Sequence, residues 1–379
     1  MAATVDGRRR RKHIRGRTKK EVIAEAECVR SLWLSGQFPE GGEVSLGAWL
    51  TTWMAERKVA GARPSTLSGY RTDLKHLDTL SDVRLDKLTP ERIGRLWGDL
   101  LVSGLSGGSV RHVRRTLSAA LTVAVDRGRL NRNPARLAPC PPDTTPDVQP
   151  LTHEEAQQLL NAAAEVRGGV RWAIALALGL RQGEVLALQW DDLDLDTATL
   201  RIRRSLDRVR NSHGCSAPKQ CGRAARCPRR ISTGGAAPLK TRGSARTLAL
   251  PEVLVAMLRS HRASQNRDRL LASDLWQDDE WVFANNVGRV RTFRADWDQW
   301  RSLLASAGIT RRVRIHDLRH SAATFSLVAG TDSLVVQALF GWTSPTLVAR
   351  YTHVVDDTRR QAADRIGAML WPDADRGTG

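Results

Sequence analysis

Tyrosine is nearly absent: this 379-residue chain holds two, Tyr70 and Tyr351. Any chemistry that needs a phenol oxygen is therefore confined to one of two places. Long apolar runs are missing too. The longest lies near Trp172 to Leu178, far short of the roughly 18 residues that cross a bilayer, so no membrane partner is expected. The basic N-terminus lacks the apolar core of a secretion signal. Cysteine is scarce and odd in number, five in all, which argues against a disulfide framework and for a reducing compartment. Acidic residues are absent between Arg208 and Pro251, where ten Arg or Lys occur, and an acid-free basic stretch suits a surface lying on DNA.

The chain is otherwise strongly basic, with a net charge of +19 and a pI near 10.9. Such a surface gathers polyanions at long range and releases counterions on binding. Charge alone does not separate DNA from RNA or an anionic membrane. A cytoplasmic, DNA-associated protein is the expectation. Nine of the thirteen residues from Arg8 to Lys20 are Arg or Lys; this block reads either as a solubilising tail or as a DNA-contacting arm.

Patterning divides the chain into a basic module over 1–43, a helical domain over 44–137, a linker over 138–150 and a second domain over 151–379. In the first helical domain Ser45 caps a helix whose Leu46, Trp49, Leu50 and Trp53 share a face. Thr89 followed by Pro90 and Glu91 marks another start, and a third helix is expected from Ser109 to about Asp126. Tyr70 reads as a packing or phosphate-contacting residue. The linker follows from the prolines between Ala138 and Asp147. The second domain should open with a capping box at Thr152 and Glu155. Alternation from Thr199 to Ser205 predicts a strand, and short strands are expected on both sides of the turn at 241–244. Apolar Ala362, Ile366, Met369 and Leu370 predict a last helix over 356–370. The fold class is mainly α with a small β-sheet (α+β) in the second domain.

Phosphodiester transfer without a metal needs a nucleophile, cations around the nonbridging oxygens and a proton donor for the departing alkoxide. All are available in the second domain. His316, Arg319 and His320 stand at i, i+3 and i+4, one face of a helix. Arg181 follows a helix end at Gly179, where its fork can meet phosphate, and Glu184 is one turn on to hold that fork. Lys240 lies in a turn that can bring its ammonium to a leaving oxygen. Tyr351 comes 31 residues after His320.

These stretches, Gly179 to Glu184, Leu239 to Arg246, His316 to His320, Phe340 to Ser344 and Arg350 to Val354, resemble the tyrosine recombinase, or phage integrase, family. Their order and spacing are far more specific than any one of them. The resemblance implies Tyr351 as nucleophile, Arg181 and Arg319 as phosphate clamps, Lys240 as general acid and His316 as proton-transfer or orienting partner. Glu184 and His320 are supporting residues. Trp342 stands where many relatives have His and some have Trp; its indole N–H still donates to a phosphate oxygen. The implied protein is a site-specific recombinase of a phage or mobile element that cuts and rejoins DNA through a 3′-phosphotyrosyl link, with no cofactor required for catalysis. Implied partners are double-stranded DNA attachment sites, a homotetramer on DNA and an accessory DNA-bending or directionality protein. The basic start resembles the family's arm-binding module and 44–137 its core-binding domain. Rival readings are a type IB topoisomerase-like enzyme, which rejoins the original strand, and a regulator that binds DNA without cutting it.

Two other features offer ligands. His213, Cys215, Cys221 and Cys227, in a basic insertion at about 207–237, read either as a structural zinc site or as a flexible loop with incidental cysteines. The aspartates from Asp191 to Asp196 read as a polar turn in preference to a magnesium site.

Overall fold

The computed structural model describes residues 18–34, 44–142, 149–215, 221–239 and 245–342, with 366, 369 and 370. It forms two compact units, Met1–Pro146 and Asp147–Gly379.

The first unit is helical. Helix α1 spans Lys19–Leu34, and Thr18 and Glu21 cap its start reciprocally. Helices α2 (Leu46–Val59), α3 (Pro64–Leu74), α4 (Pro90–Val102), α5 (Gly107–Asp126) and α6 (Pro134–Leu137) follow. Ser45 caps α2 and Thr89 caps α4, with Pro90 at the first helical position where its missing N–H costs nothing. Helix α5 begins two residues before the expected Ser109 because Ser106 is the cap that accepts from the Ser109 N–H. Trp49, Trp53, Ile93, Trp97, Val113 and Leu117 are almost wholly buried. Burial of each is worth roughly 1.5–3 kcal/mol. Tyr70 packs its ring on Trp53 at 4.8 Å, a core role.

The second unit is built around α8 (Val170–Leu178), buried from Val170 through Leu176. Around it stand α7 (His153–Ala164), α9 (Gln182–Leu186), α10 (Glu252–Ala272), α11 (Phe293–Ser306), α12 (Asp317–Val328) and α13 (Ser333–Phe340). The capping box at Thr152 and Glu155 is formed. Strands β1 (Leu193–Asp194), β2 (Thr199–Ile202) and β5 (Arg246–Ala249) make an antiparallel sheet in the order β1-β2-β5. Leu200 stands opposite Leu248, and this shared burial sets the register.

Strands do stand before and after 241–244, but not as one paired hairpin: the later one, β5, pairs with the distant β2. The insertion forms a separate ribbon of β3 (Arg204–His213) and β4 (Arg230–Pro238), from Arg204 opposite Pro238 to His213 opposite Arg230. Local turn signals pointed to neighbours in sequence, whereas the buried faces of β2 and β5 choose each other. The aspartate run is a turn: Asp194 accepts from the N–H groups of Asp196 and Thr197, and buried Asp192 pairs with Arg203. The expectations for Lys240, for Tyr351 and for most of the helix over 356–370 lie outside the described residues.

Candidate active site

The site assembles where α8 ends. Gly179 closes that helix in the left-handed region, at φ 60°, and a Cβ there would lie 1.8 Å from the Phe340 ring. Only glycine meets both demands. The chain then turns so that Arg181 is the N-cap of α9. Arg181 donates through Nη1 to Glu184 Oε1 at 2.7 Å and through its backbone N–H to Oε2 at 3.1 Å. Its side chain stays 39% exposed while that of Glu184 is 2% exposed.

Glu184 is held from a second side by Arg246, at the start of β5, whose Nη2 donates to Oε2 at 3.0 Å. Burial works to raise the Glu184 carboxyl, but the charges and hydrogen bonds of Arg246 and Arg181 outweigh it and hold the group below its ordinary value. Arg246 also donates from Nε to the Leu339 carbonyl at 2.8 Å, which ties β5 to α13. Arg246 ends the stretch from Leu239 to Arg246; membership of that motif is the only sign of its role that the sequence carries.

His316, Arg319 and His320 come together at the start of α12. His316 is the N-cap residue, its backbone already in the right-handed helical region, with Arg319 and His320 in the first turn. The His316 and His320 rings meet edge to face at 5.2 Å. His316 keeps an exposed edge, yet loss of water from its packed side, then the charges of His320 and Arg319 with a smaller share from Arg181, push its pKa down to about 4 against the pull of Asp317. At neutral pH the imidazole is therefore uncharged, able both to accept and to donate.

Arg319 is 3% exposed. Its Nη1 donates to the Gly179 carbonyl at 2.5 Å and its Nη2 to the Phe340 carbonyl. It thus pins α12 to the C-terminal ends of α8 and α13. The guanidinium carbon lies 5.2 Å from the Phe340 ring centre and 5.5 Å from that of Trp342, and these two rings stack at 5.2 Å. The structure accordingly brings Arg181, Glu184, His316, Arg319, His320 and Trp342 to the junction of α8, α9, α12 and α13. An anion placed there meets cationic charge, an uncharged imidazole and an indole.

Beneath this layer Asp296 of α11 accepts from Arg171 Nε and Gln182 Nε2, each at 2.7 Å. Gln182 adjoins Arg181, so this buried pair fixes the start of α9.

His213, Cys215, Cys221 and Cys227 are also brought together, away from that junction, at the tip of the β3–β4 ribbon. Their ligand atoms all lie within 4.8 Å of one another.

Comparison with known proteins agrees on one family. The phage integrase family profile matches residues 149–358. An integrase from Saccharopolyspora erythraea is 36% identical, covering 97% of this chain and 92% of its own. A XerC-like tyrosine recombinase from Caldanaerobacter subterraneus subsp. tengcongensis is 26% identical over 96% and 93%. Among solved structures, the Tn1549 transposon integrase in complex with circular intermediate DNA has a TM-score of 0.66 at 18% identity, covering 85% of this chain and all (100%) of that one. A lambda integrase tetramer bound to a Holliday junction has a TM-score of 0.58 at 17% identity, with 87% and 89% covered. These two likenesses speak to the fold. With the matched profile spanning more than half the chain and the full-length likeness to an integrase, this chain belongs to the phage integrase family, as a tyrosine-type site-specific DNA recombinase.

Proposed function

We propose that the chain is the integrase of a phage or mobile element and that Tyr351 attacks the scissile phosphate, leaving a 3′-phosphotyrosyl link and a free 5′ hydroxyl. The observation that carries this reading is the convergence of Arg181 and Arg319 on His316, with Trp342 against the Arg319 guanidinium. Arg181, Arg319 and Trp342 stabilise the charge that grows on the nonbridging oxygens. His316, uncharged at neutral pH, orients the phosphate or relays a proton, and Lys240 protonates the departing 5′ oxygen. Glu184 holds Arg181 and His320 packs His316. Transesterification conserves the phosphodiester bond energy, so the exchange runs without nucleotide or metal; the four-ligand cluster on the ribbon suits a structural zinc outside this chemistry.

Residues 1–43 serve as an arm-type DNA-binding module, 44–137 as the core-type DNA-binding domain, 138–150 as the linker and 151–379 as the catalytic domain. Two duplexes with two cut strands each call for a tetramer on DNA, and direction is set with an accessory DNA-bending protein. The test is incubation of wild type and Tyr351→Phe with nicked DNA fragments flanking the element, in EDTA. A denaturant-resistant protein–DNA adduct in wild type alone is expected. Equal DNA binding by both with no adduct from either would replace this reading with a DNA-binding regulator.

A further inference from the structure

We infer that His213, Cys215, Cys221 and Cys227 bind one zinc ion, which closes the tip of the β3–β4 ribbon and holds a knuckle of arginines against DNA phosphate. The role on DNA rests on the recombinase reading above; the metal site does not. His213 ends β3, Cys215 follows at two residues, and Cys227 stands just before β4. The ligands thus come from both strands' ends, and a metal among them joins those ends. His213 Nδ1 lies 3.0 Å from Cys221 Sγ, Cys215 Sγ lies 3.3 Å from Cys221 Sγ, and Cys215 Sγ lies 4.0 Å from His213 Nδ1. The sulfur separation exceeds the ~2.05 Å of a disulfide. It approaches the edges of about 3.5–3.8 Å expected for a tetrahedron with metal–sulfur bonds of ~2.3 Å and metal–nitrogen bonds of ~2.0 Å. Three thiolates and an imidazole are a zinc donor set, and four protein ligands leave no open coordination position, which makes the site structural.

The ribbon needs such a clamp. Among its described side chains from 204 to 238, Leu206 at the base and Cys227 at the tip are the buried ones. Ile231 is 54% exposed. Two strands without an apolar face are marginal in water, so the stabilisation of the tip must come from elsewhere, and metal binding supplies folding free energy directly. The tip is nonetheless closely built. A Cβ on Gly214, between two of the ligands, would lie 2.2 Å from the Arg229 carbonyl oxygen. The single turn Ala224–Arg226 delivers Cys227, whose N–H donates to the Ala224 carbonyl at 3.2 Å.

What the clamp displays is charge of one sign. Arg223, Arg226, Arg229 and Arg230 are all exposed around the cluster, and no acid occurs from 208 to 251. Held in a fixed spacing, they form a phosphate-contacting surface at the tip of the ribbon. At its other end β4 runs to Pro238, two residues before Lys240 in the sequence.

The experiment uses the full chain purified under reductant. Zinc is measured by atomic emission, and cobalt is added after chelation. About one zinc per chain, visible bands of tetrahedral cobalt thiolate, and loss of both in Cys215→Ser with Cys221→Ser but not in Cys140→Ser are expected. Absence of zinc together with absence of cobalt bands in wild type overturns the site, whatever the variants do. The role on DNA is read by salt titration of duplex binding with Arg223, Arg226 and Arg229 changed to Gln, which leave the ligands intact. The slope of log affinity against log salt should become shallower by about 1 to 3. An unchanged slope in a zinc-loaded variant overturns the phosphate contact. A zinc-loaded wild type that binds no DNA would instead overturn the recombinase reading and leave the metal site standing.

Discussion

Arg246 and Glu184 form an ion pair at 3.0 Å with side chains only 7% and 2% exposed, and Glu184 in turn grips Arg181. The pair makes the position of Arg181 depend on a residue 65 positions later in the chain. Removing Arg246 leaves a buried carboxylate with one cation in place of two. Arg246→Met should cost about 3 kcal/mol of stability and slow adduct formation on nicked DNA about 10²-fold, since misplacing a catalytic group by an ångström has that effect. Arg246→Lys keeps the charge and should recover part of the rate. Adduct formation at the wild-type rate in Arg246→Met, on protein shown to be folded, would mean that Arg181 is held by Glu184 alone.

His316 offers a pH signature. Its folded pKa is depressed to about 4 from an ordinary 6.5. As pH falls between those values the unfolded chain takes up a proton that the folded chain refuses, so this residue's contribution lowers stability across that window and levels off below it. Urea unfolding of wild type should therefore weaken from pH 6.5 to 4 more steeply than that of His316→Gln. Bound phosphate places negative charge beside the ring, so DNA binding near pH 5 should be accompanied by proton uptake that the variant lacks. Parallel pH profiles of the two proteins, with and without DNA, would remove the depressed pKa assigned to this imidazole, whose causes are loss of water first and neighbouring charge second.

Much of the scaffold could be read from local chemistry. Ser45, Thr89 and Thr152 announce their helices because a cap needs only its next three residues, and Leu200 and Ile202 announce β2 through a period of two. The cations of the site were legible as motifs, since Arg181 and the group from His316 to His320 are each local in sequence. What failed were features decided at a distance. The pairing of β5 with β2 turned on which apolar faces share the core. That Arg319 is buried against the Gly179 and Phe340 carbonyls depends on two helix ends meeting, which no window of sequence reports. The ribbon ligands have a spacing unlike paired zinc knuckles, because the strands of β3 and β4, not a tight loop, bring them within reach.

The support beneath the site is equally nonlocal. Arg171 and Asp296 pair at 2.7 Å with 1% and 2% of their side chains exposed. Burial lowers the Arg171 pKa to about 10 despite the attraction of Asp296, yet the group remains a cation at neutral pH. Asp296→Ala strands that cation in the core and frees Gln182 beside Arg181. A loss of about 3–5 kcal/mol is expected. The double change Arg171→Met with Asp296→Leu removes both charges and should restore most of the stability while leaving cleavage impaired, because Gln182 still lacks its anchor. Full recovery of both stability and cleavage in the double variant would show that the pair does not position α9.

Lys240, two residues past Pro238 in the sequence, is proposed to supply the proton for the 5′ leaving oxygen. If so, its removal should hurt departure of the alkoxide and little else. Lys240→Ala should bind duplex DNA with near wild-type affinity but form the covalent adduct about 10²- to 10⁴-fold more slowly, the range that general acid catalysis supplies. A substrate carrying sulfur at the 5′ leaving position departs as a thiolate that needs no protonation. With that substrate the wild type and Lys240→Ala should cleave at similar rates, whereas Arg181→Ala should remain slow, because stabilising the phosphoryl oxygens is needed for either leaving group. A Lys240→Ala deficit that persists unchanged with the sulfur substrate would transfer the proton to another donor, and His316, already adjacent to the phosphate-facing cations, would be the first to test.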